Sequence, residues 1–157
     1  MPAAFDTYRI LCCAPPELEA ARLEFEDANA KFAEEIGLPN HVLFAVGSLS
    51  PPIDANRAKA EIERNIRECD FTLHIFGESD PEPVFHGFGE LSMKCQADSA
   101  MPLRAAAFVF RNPAVLGNLR QTVLDAGQST VSDYQNADDL GPILRQILEG
   151  WYASIKQ

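Results

Sequence analysis

The sequence has little basic charge. Of its 157 residues, 13 are Lys or Arg and 23 are Asp or Glu, so the net charge is -10. A nucleic-acid-binding protein needs a basic surface to displace counterions from the phosphates, and anionic membranes likewise attract basic segments. We therefore expect neither a nucleic acid nor a membrane surface as the partner of this chain.

Long apolar runs and targeting segments are missing as well. No stretch approaches the roughly 20 apolar residues that span a bilayer, and the N-terminal residues lack the basic and apolar regions of a signal peptide. We therefore expect a cytoplasmic protein. Hydrophobic residues make up 46% of the chain and charged residues 23%, which is typical of a folded protein, and the length favours a single domain over residues 1–157.

Motifs that hold metals or nucleotide phosphates are also absent. The four cysteines form no CxxC pair and the three histidines are scattered, so no zinc site is expected. No GxGxxG motif follows the first apolar run and no P-loop occurs, so the chain has no standard glycine cradle for phosphates. We expect no resident metal or cofactor.

The chain does contain four short apolar runs and a fifth, polar one, expected at the sheet edge, which alternate with five helical segments. Strands are predicted over residues 8–14, 41–46, 71–76, 103–110 and 129–134. Helices are predicted over residues 17–36, 54–69, 87–97 and 116–126, with a last one that follows Gly141 and Pro142. This alternation predicts an α/β, flavodoxin-like three-layer sandwich: a five-stranded parallel sheet of order 2-1-3-4-5 with helices on both faces.

Glu90 occupies a position that suits chemistry. It follows Gly87 and Gly89, and a helix that begins there would direct its carboxylate toward the crevice at the carboxyl edge of the sheet. A fixed carboxylate in a cleft can act as a nucleophile or stabilise an oxocarbenium ion, but an acid in the first turn can also serve only the helix dipole. Nearby, His86 could donate a hydrogen bond to a substrate, or it could be an ordinary loop histidine. Phe88 could stack on a base, or it could pack in the core.

Three stretches resemble a known family. They are residues 9–22 (RILCCAPPELEAAR), residues 66–70 (IRECD) before the third strand, and a glutamate early in the third helix. They resemble the Toll/interleukin receptor (TIR)-like domain superfamily, nearest the bacterial TIR-like domain of unknown function that is often fused to NTPase modules. The resemblance implies cleavage of the N-glycosidic bond of NAD or a related nucleotide in bacterial stress or defence, with Glu90 as the catalytic carboxylate.

The same resemblance implies a substrate site, with no metal. The resemblance places Ala14, Pro15 and Ser48 in this site. Gly77, His86 and Phe88 are added by their positions between the end of the third predicted strand and the first turn of the third predicted helix. NAD would be a substrate and not a cofactor, and self-association or a partner protein is expected. Two other functions stay open, a non-enzymatic TIR-like protein-interaction module and a nucleoside deoxyribosyltransferase-like enzyme, so whether the chain is an enzyme is undecided.

Overall fold

The fold is built on one five-stranded parallel sheet. A computed structural model of the chain describes residues 4–48, 55–77, 83–111, 117–127 and 129–156. Its strands are β1 (Asp6–Cys13), β2 (Val42–Ser48), β3 (Phe71–Phe76), β4 (Ala105–Phe110) and β5 (Thr130–Asp133). The strand order is β2-β1-β3-β4-β5 and every pair is parallel. The predicted flavodoxin-like fold class is therefore confirmed.

Five α-helices in the described residues connect and cover these strands. They are α1 (Glu19–Phe32), α2 (Ala55–Glu68), α3 (Pro83–Ala97), α4 (Gly117–Ala126) and α5 (Ala137–Ile155). A 3₁₀ turn (Pro16–Leu18) precedes α1, and a π turn (Ala33–Gly37) and a second 3₁₀ turn (Leu38–Asn40) follow it. No helix in the described ranges is long and apolar enough to cross a membrane.

The sheet separates two hydrophobic cores. One core joins the sheet to α1 and α5, through side chains such as Phe25 and Leu144. The other joins it to α2, α3 and α4, through side chains such as Ile66, Phe88 and Val123. All six residues of β3 and the last five of β4 are buried, because helices cover both faces of these central strands. Burial of one such Leu, Ile or Phe side chain stabilises the fold by about 1.5–3 kcal/mol.

The segment around the end of α1 reaches the edge strand β2. The side-chain amide of Asn29 donates a hydrogen bond to the carbonyl of Phe44 at 3.1 Å. A Cβ atom at Gly37 would lie only 2.8 Å from the carbonyl oxygen of Val42, so glycine permits this close approach. These contacts cover part of an edge that would otherwise be open to another chain.

Two predicted helix starts are wrong. The third helix begins at Pro83 and not near residue 87, because proline suits a helix start and the glycines that follow do not interrupt the helix. The last helix begins at Ala137 and contains Pro142. There the Asn136 backbone N–H donates to the Asp139 carboxylate at 3.3 Å, an N-terminal cap that starts the helix ahead of the proline.

Candidate functional site

Glu90 does not lie in the first turn of α3. Since α3 begins at Pro83, Glu90 comes about two turns into the helix. Its side chain is 55% exposed and pairs with His86, whose Nδ1 atom lies 3.0 Å from the Glu90 Oε1 atom. The four-residue spacing places both side chains on one face of the helix. Glu90 is therefore a surface carboxylate with a local partner.

Glu90 and His86 line a groove between α3 and α4. This α3–α4 groove has a volume of about 440 Å³ and is lined by residues of the two helices: His86, Glu90, Met93, Lys94, Leu119 and Thr122. Met93 is half-buried and Leu119 is buried, and both belong to or pack against the core beneath. The groove therefore has an apolar floor and a polar rim on which Glu90 and Lys94 carry opposite charges.

The loop residues of the predicted substrate site lie elsewhere. Ala14, Pro15 and Gly77 are all buried and do not line the α3–α4 groove. A Cβ atom at Gly77 would lie 2.8 Å from the Leu18 Cδ2 atom. The turn before α1 therefore packs directly onto the end of β3, where the sequence predicted an open crevice.

Phe88 lies in the core, and the prediction for Ser48 falls at the limit of the described residues. Phe88 is 1% exposed and packs edge-on against Phe85, with ring centroids 5.8 Å apart. Phe88 is therefore a core residue and does not stack on a ligand base; core packing was the second of the two roles that the sequence left open. Ser48 is the last residue of β2, and the rest of the loop that follows it lies outside the described residues.

The sequence pointed to only two of the six residues that line the groove, His86 and Glu90. Met93 and Lys94 follow Glu90 at three and four residues, so helical spacing alone could have added them. Leu119 and Thr122 belong to α4, and no sequence signal connects them to α3. Only the packing of the two helices on the sheet brings these residues together.

A buried serine–histidine pair lies on the inner side of α3. The His74 Nε2 atom and the Ser92 hydroxyl oxygen share a hydrogen bond at 2.8 Å, and both residues are at most 1% exposed. Burial lowers the pKa of His74 from 6.5 to about 3 because the charged imidazolium is poorly solvated there. A base so weak and so inaccessible does not activate a nucleophile, so the pair serves to join β3 to α3.

The cysteines are equally unsuited to chemistry. All four are free and buried. Burial raises the pKa of Cys12 and of Cys69 from 9.0 to about 12, and it raises the pKa of Cys13 as well. Their thiols stay protonated at neutral pH and are poor nucleophiles and ligands. Within the part of the chain that the structure describes, no group of three His, Cys, Asp or Glu residues could hold a metal ion.

Comparisons with known proteins bear on the fold. No family model matches the sequence, and no curated protein matches it. Among solved structures, the crystal structure of the phosphorylated cyanobacterial phytochrome response regulator RcpA is similar, with a TM-score of 0.58. The match covers 95% of this chain and 96% of that chain, at 10% sequence identity.

This match corrects the resemblance drawn from the sequence. The structural neighbour is a response regulator, so the prediction of a TIR-like domain is wrong, and the prediction of NAD cleavage in bacterial defence is wrong with it. The deoxyribosyltransferase and TIR-like adaptor alternatives gain no support from the match. The likeness establishes a shared fold over nearly the whole chain, and at this identity it establishes the fold alone.

Proposed function

We propose that this chain is a signalling domain of response-regulator-like fold that acts by binding a partner protein in the α3–α4 groove. The observation that carries the proposal is the groove itself, which presents Met93 and Leu119 between polar rims. Apolar concavities with a few convergent polar groups are typical of binding sites. Methionine adapts its shape to different apolar side chains, which suits a docking surface.

The dimensions of the groove favour an amphipathic helix as the bound element. From His86 to Lys94 the lining spans nine residues of α3, or about 12 Å along the helix axis. A partner helix presents apolar anchors at i, i+3 or i+4 and i+7 over a similar length. The opposite charges of Glu90 and Lys94 on the rim would select a partner helix with charges of both signs.

Among the described residues, those that directly follow β1, β3 and β4 carry no carboxylate. RcpA is described as phosphorylated; an aspartyl phosphate needs a free acceptor carboxylate, and Mg²⁺ prefers oxygen ligands. Here Ala14, Gly77 and Arg111 follow β1, β3 and β4. Asp133, which ends β5, is held by Arg120 through contacts of 3.1 and 2.6 Å. The likeness to RcpA supports the fold in this proposal, and the partner site rests on the groove alone.

A selection of displayed helical peptides on the immobilised protein tests the proposal. We expect the selected peptides to carry apolar residues at helical spacing and to perturb the Met93 methyl resonance. Met93→Glu places a charge on the groove floor, so it should weaken binding of these peptides by about tenfold or more.

Leu124→Glu is the matched control. Leu124 lies on α4, the second helix of the groove, but its side chain is 43% exposed and does not line the groove. This variant should therefore bind the selected peptides as the parent protein does. Circular dichroism would verify that both variants are folded. Peptides that bind Met93→Glu and the parent equally well, or that perturb other surfaces, would contradict the proposal. Concentration-dependent sedimentation that Met93→Glu abolishes would instead identify the occupant as a second copy of the chain.

A further inference from the structure

Helix α2 leaves part of the edge strand β2 uncovered. A groove of about 210 Å³ lies there, between α2 and the neighbouring strands β1 and β2. This α2–β2 groove is lined by residues of the three elements, among them Arg9, Leu11, Ala45, Gly47, Asn65 and Cys69. Ala45 and Gly47 are the β2 partners of Arg9 and Leu11 in the parallel ladder, and both are exposed. Because their side chains are small, the surface dips between the helix and the edge strand.

Arg9 is the one charged residue among the described residues that line this groove. Its side chain has no ion pair or hydrogen bond within the described ranges. The neighbouring Asp70 carboxylate accepts a hydrogen bond from the Arg9 backbone N–H at 2.9 Å and lies 3.9 Å from the Arg104 Nε atom. In a chain with 23 acidic and 13 basic residues, this arginine is therefore a cation left available to an external anion.

The Arg9 guanidinium lies on the groove side of β1. Burial raises the pKa of the Cys69 thiol to about 12, whereas the positive charge of Arg9 acts to lower it. Such an effect weakens with distance, so the guanidinium is close to Cys69, which lines the groove. Asn65 lies one helical turn before Cys69 and lines the same wall. Its side-chain amide has no hydrogen-bond partner in the described part of the chain either.

These groups define the chemistry of a ligand. The planar guanidinium matches the two oxygens of a carboxylate, and the asparagine amide can both donate and accept a hydrogen bond. One arginine compensates one negative charge, and the net charge of -10 opposes the approach of multiply charged anions. The volume is below the range of about 300–1,000 Å³ that is usual for larger ligands, so the ligand must be small.

We propose that the α2–β2 groove binds a small monocarboxylate, whose oxygens receive the N–H groups of Arg9 and whose body lies over Ala45 and Gly47 beside Asn65. This groove shares no lining residue with the α3–α4 groove. The proposal therefore does not rest on the proposed protein partner.

A titration with benzoate tests the site, and benzamide, which has the same size and no charge, is the matched compound. The backbone ¹H–¹⁵N signal of Gly47 reports on the floor of the groove, and the side-chain Nε–H signal of Arg9 reports on the cation. At constant pH and ionic strength, we expect benzoate to move both signals and to saturate with a dissociation constant on the order of 1–10 mM. Benzamide should bind at least about tenfold more weakly.

Three variants separate binding in the groove from binding elsewhere. Arg9→Gln removes the charge and should weaken benzoate binding by about tenfold. Arg64→Gln is its matched control, because Arg64 is also an exposed arginine but does not line the groove. Gly47→Val should fill the groove and likewise weaken binding. A Cβ atom at Gly47 would meet only the Ile10 carbonyl oxygen at 3.9 Å, and valine suits a strand, so this variant should fold, as circular dichroism would verify.

The outcomes decide the proposal. Weaker benzoate binding by Arg9→Gln and Gly47→Val, with unchanged binding by Arg64→Gln, supports the site. Equal weakening by Arg64→Gln overturns it, because benzoate then responds only to the general charge of the protein. Unchanged binding by Arg9→Gln, or no saturable shift in the parent protein, overturns it as well. Equal binding of benzamide would refute the role of the carboxylate.

Discussion

The buried His74 should make the free energy of unfolding fall as the pH falls below 6.5, and the substitution His74→Gln should remove this part of the pH dependence. Its folded-state pKa of about 3 lies below the unfolded value of 6.5. The unfolded chain therefore binds a proton as the pH falls below 6.5, whereas the folded chain does so only near pH 3. Protonation of the unfolded state destabilises the fold throughout that window, by up to about 1.4 kcal/mol per pH unit.

The expected size of the effect follows from these two pKa values. Between pH 7.5 and pH 5.0, His74 should lower the free energy of unfolding by about 2 kcal/mol. The carboxylates also titrate in acid, but their contribution cancels when two variants are compared at each pH. We therefore expect the parent protein to lose about 2 kcal/mol more than His74→Gln over this interval, measured by urea unfolding followed by circular dichroism.

His74→Gln keeps a polar side chain that can still hydrogen-bond Ser92, and a constant loss of stability at all pH values does not affect the comparison. His41→Asn is the control. His41 is exposed in a left-handed backbone conformation, with φ of 58°, that asparagine tolerates. This control should keep the pH dependence because His74 is still in place. If the parent and His74→Gln lose the same free energy from pH 7.5 to 5.0, the buried, neutral state of His74 is refuted.

Three further predictions concern the edge of the sheet and the thiols. Gly37→Ala should lower the free energy of unfolding by about 1–3 kcal/mol, since its Cβ would lie 2.8 Å from the Val42 carbonyl oxygen; an unchanged urea midpoint would contradict this close approach. Asn29→Ala removes a hydrogen bond to the edge strand and should cost about 0.5–1.5 kcal/mol in the same assay, whereas a neutral effect would show that the bond contributes nothing. Burial raises the pKa of Cys12 and Cys69 to about 12, so a thiol reagent at pH 7.5 should modify them only in denaturant, and rapid labelling of the folded protein would contradict their burial.

Much of the architecture could be predicted from local pattern. The apolar run of residues 71–76 became β3 with the same bounds, because a strand covered on both faces needs a continuous apolar run. The polar run near residue 130 was expected at the sheet edge, and β5 lies there. The starts of two helices were predicted too late, and the reason is local. Helix α3 begins at Pro83, although Gly87 and Gly89 favoured a later start. Helix α5 begins after its cap Asn136, although Gly141 and Pro142 favoured a later start.

The candidate site was predictable only in part. Glu90 and His86 were identified because both stand out in one short stretch, and the structure does bring them together. Their surroundings were misjudged because the predicted role depended on where α3 begins. The helix begins four residues earlier than predicted. Glu90 therefore lies about two turns into α3, on the exposed face of the helix and not at the carboxyl edge of the sheet.

The sequence alone determined which segments form strands and helices, except for the starts of two helices, because the period of apolar residues records which faces are buried. The alternation of strands and helices determined that the sheet is parallel. The sequence also determined the acidic character of the chain, which argues against nucleic acid as a partner. The tertiary structure decided which residues meet: Leu18 against Gly77, Leu119 in the same groove as Glu90, and Trp151 stacked on Phe71. Such contacts join residues that are distant along the chain, and they depend on the packing of helices on the sheet, which no local pattern encodes.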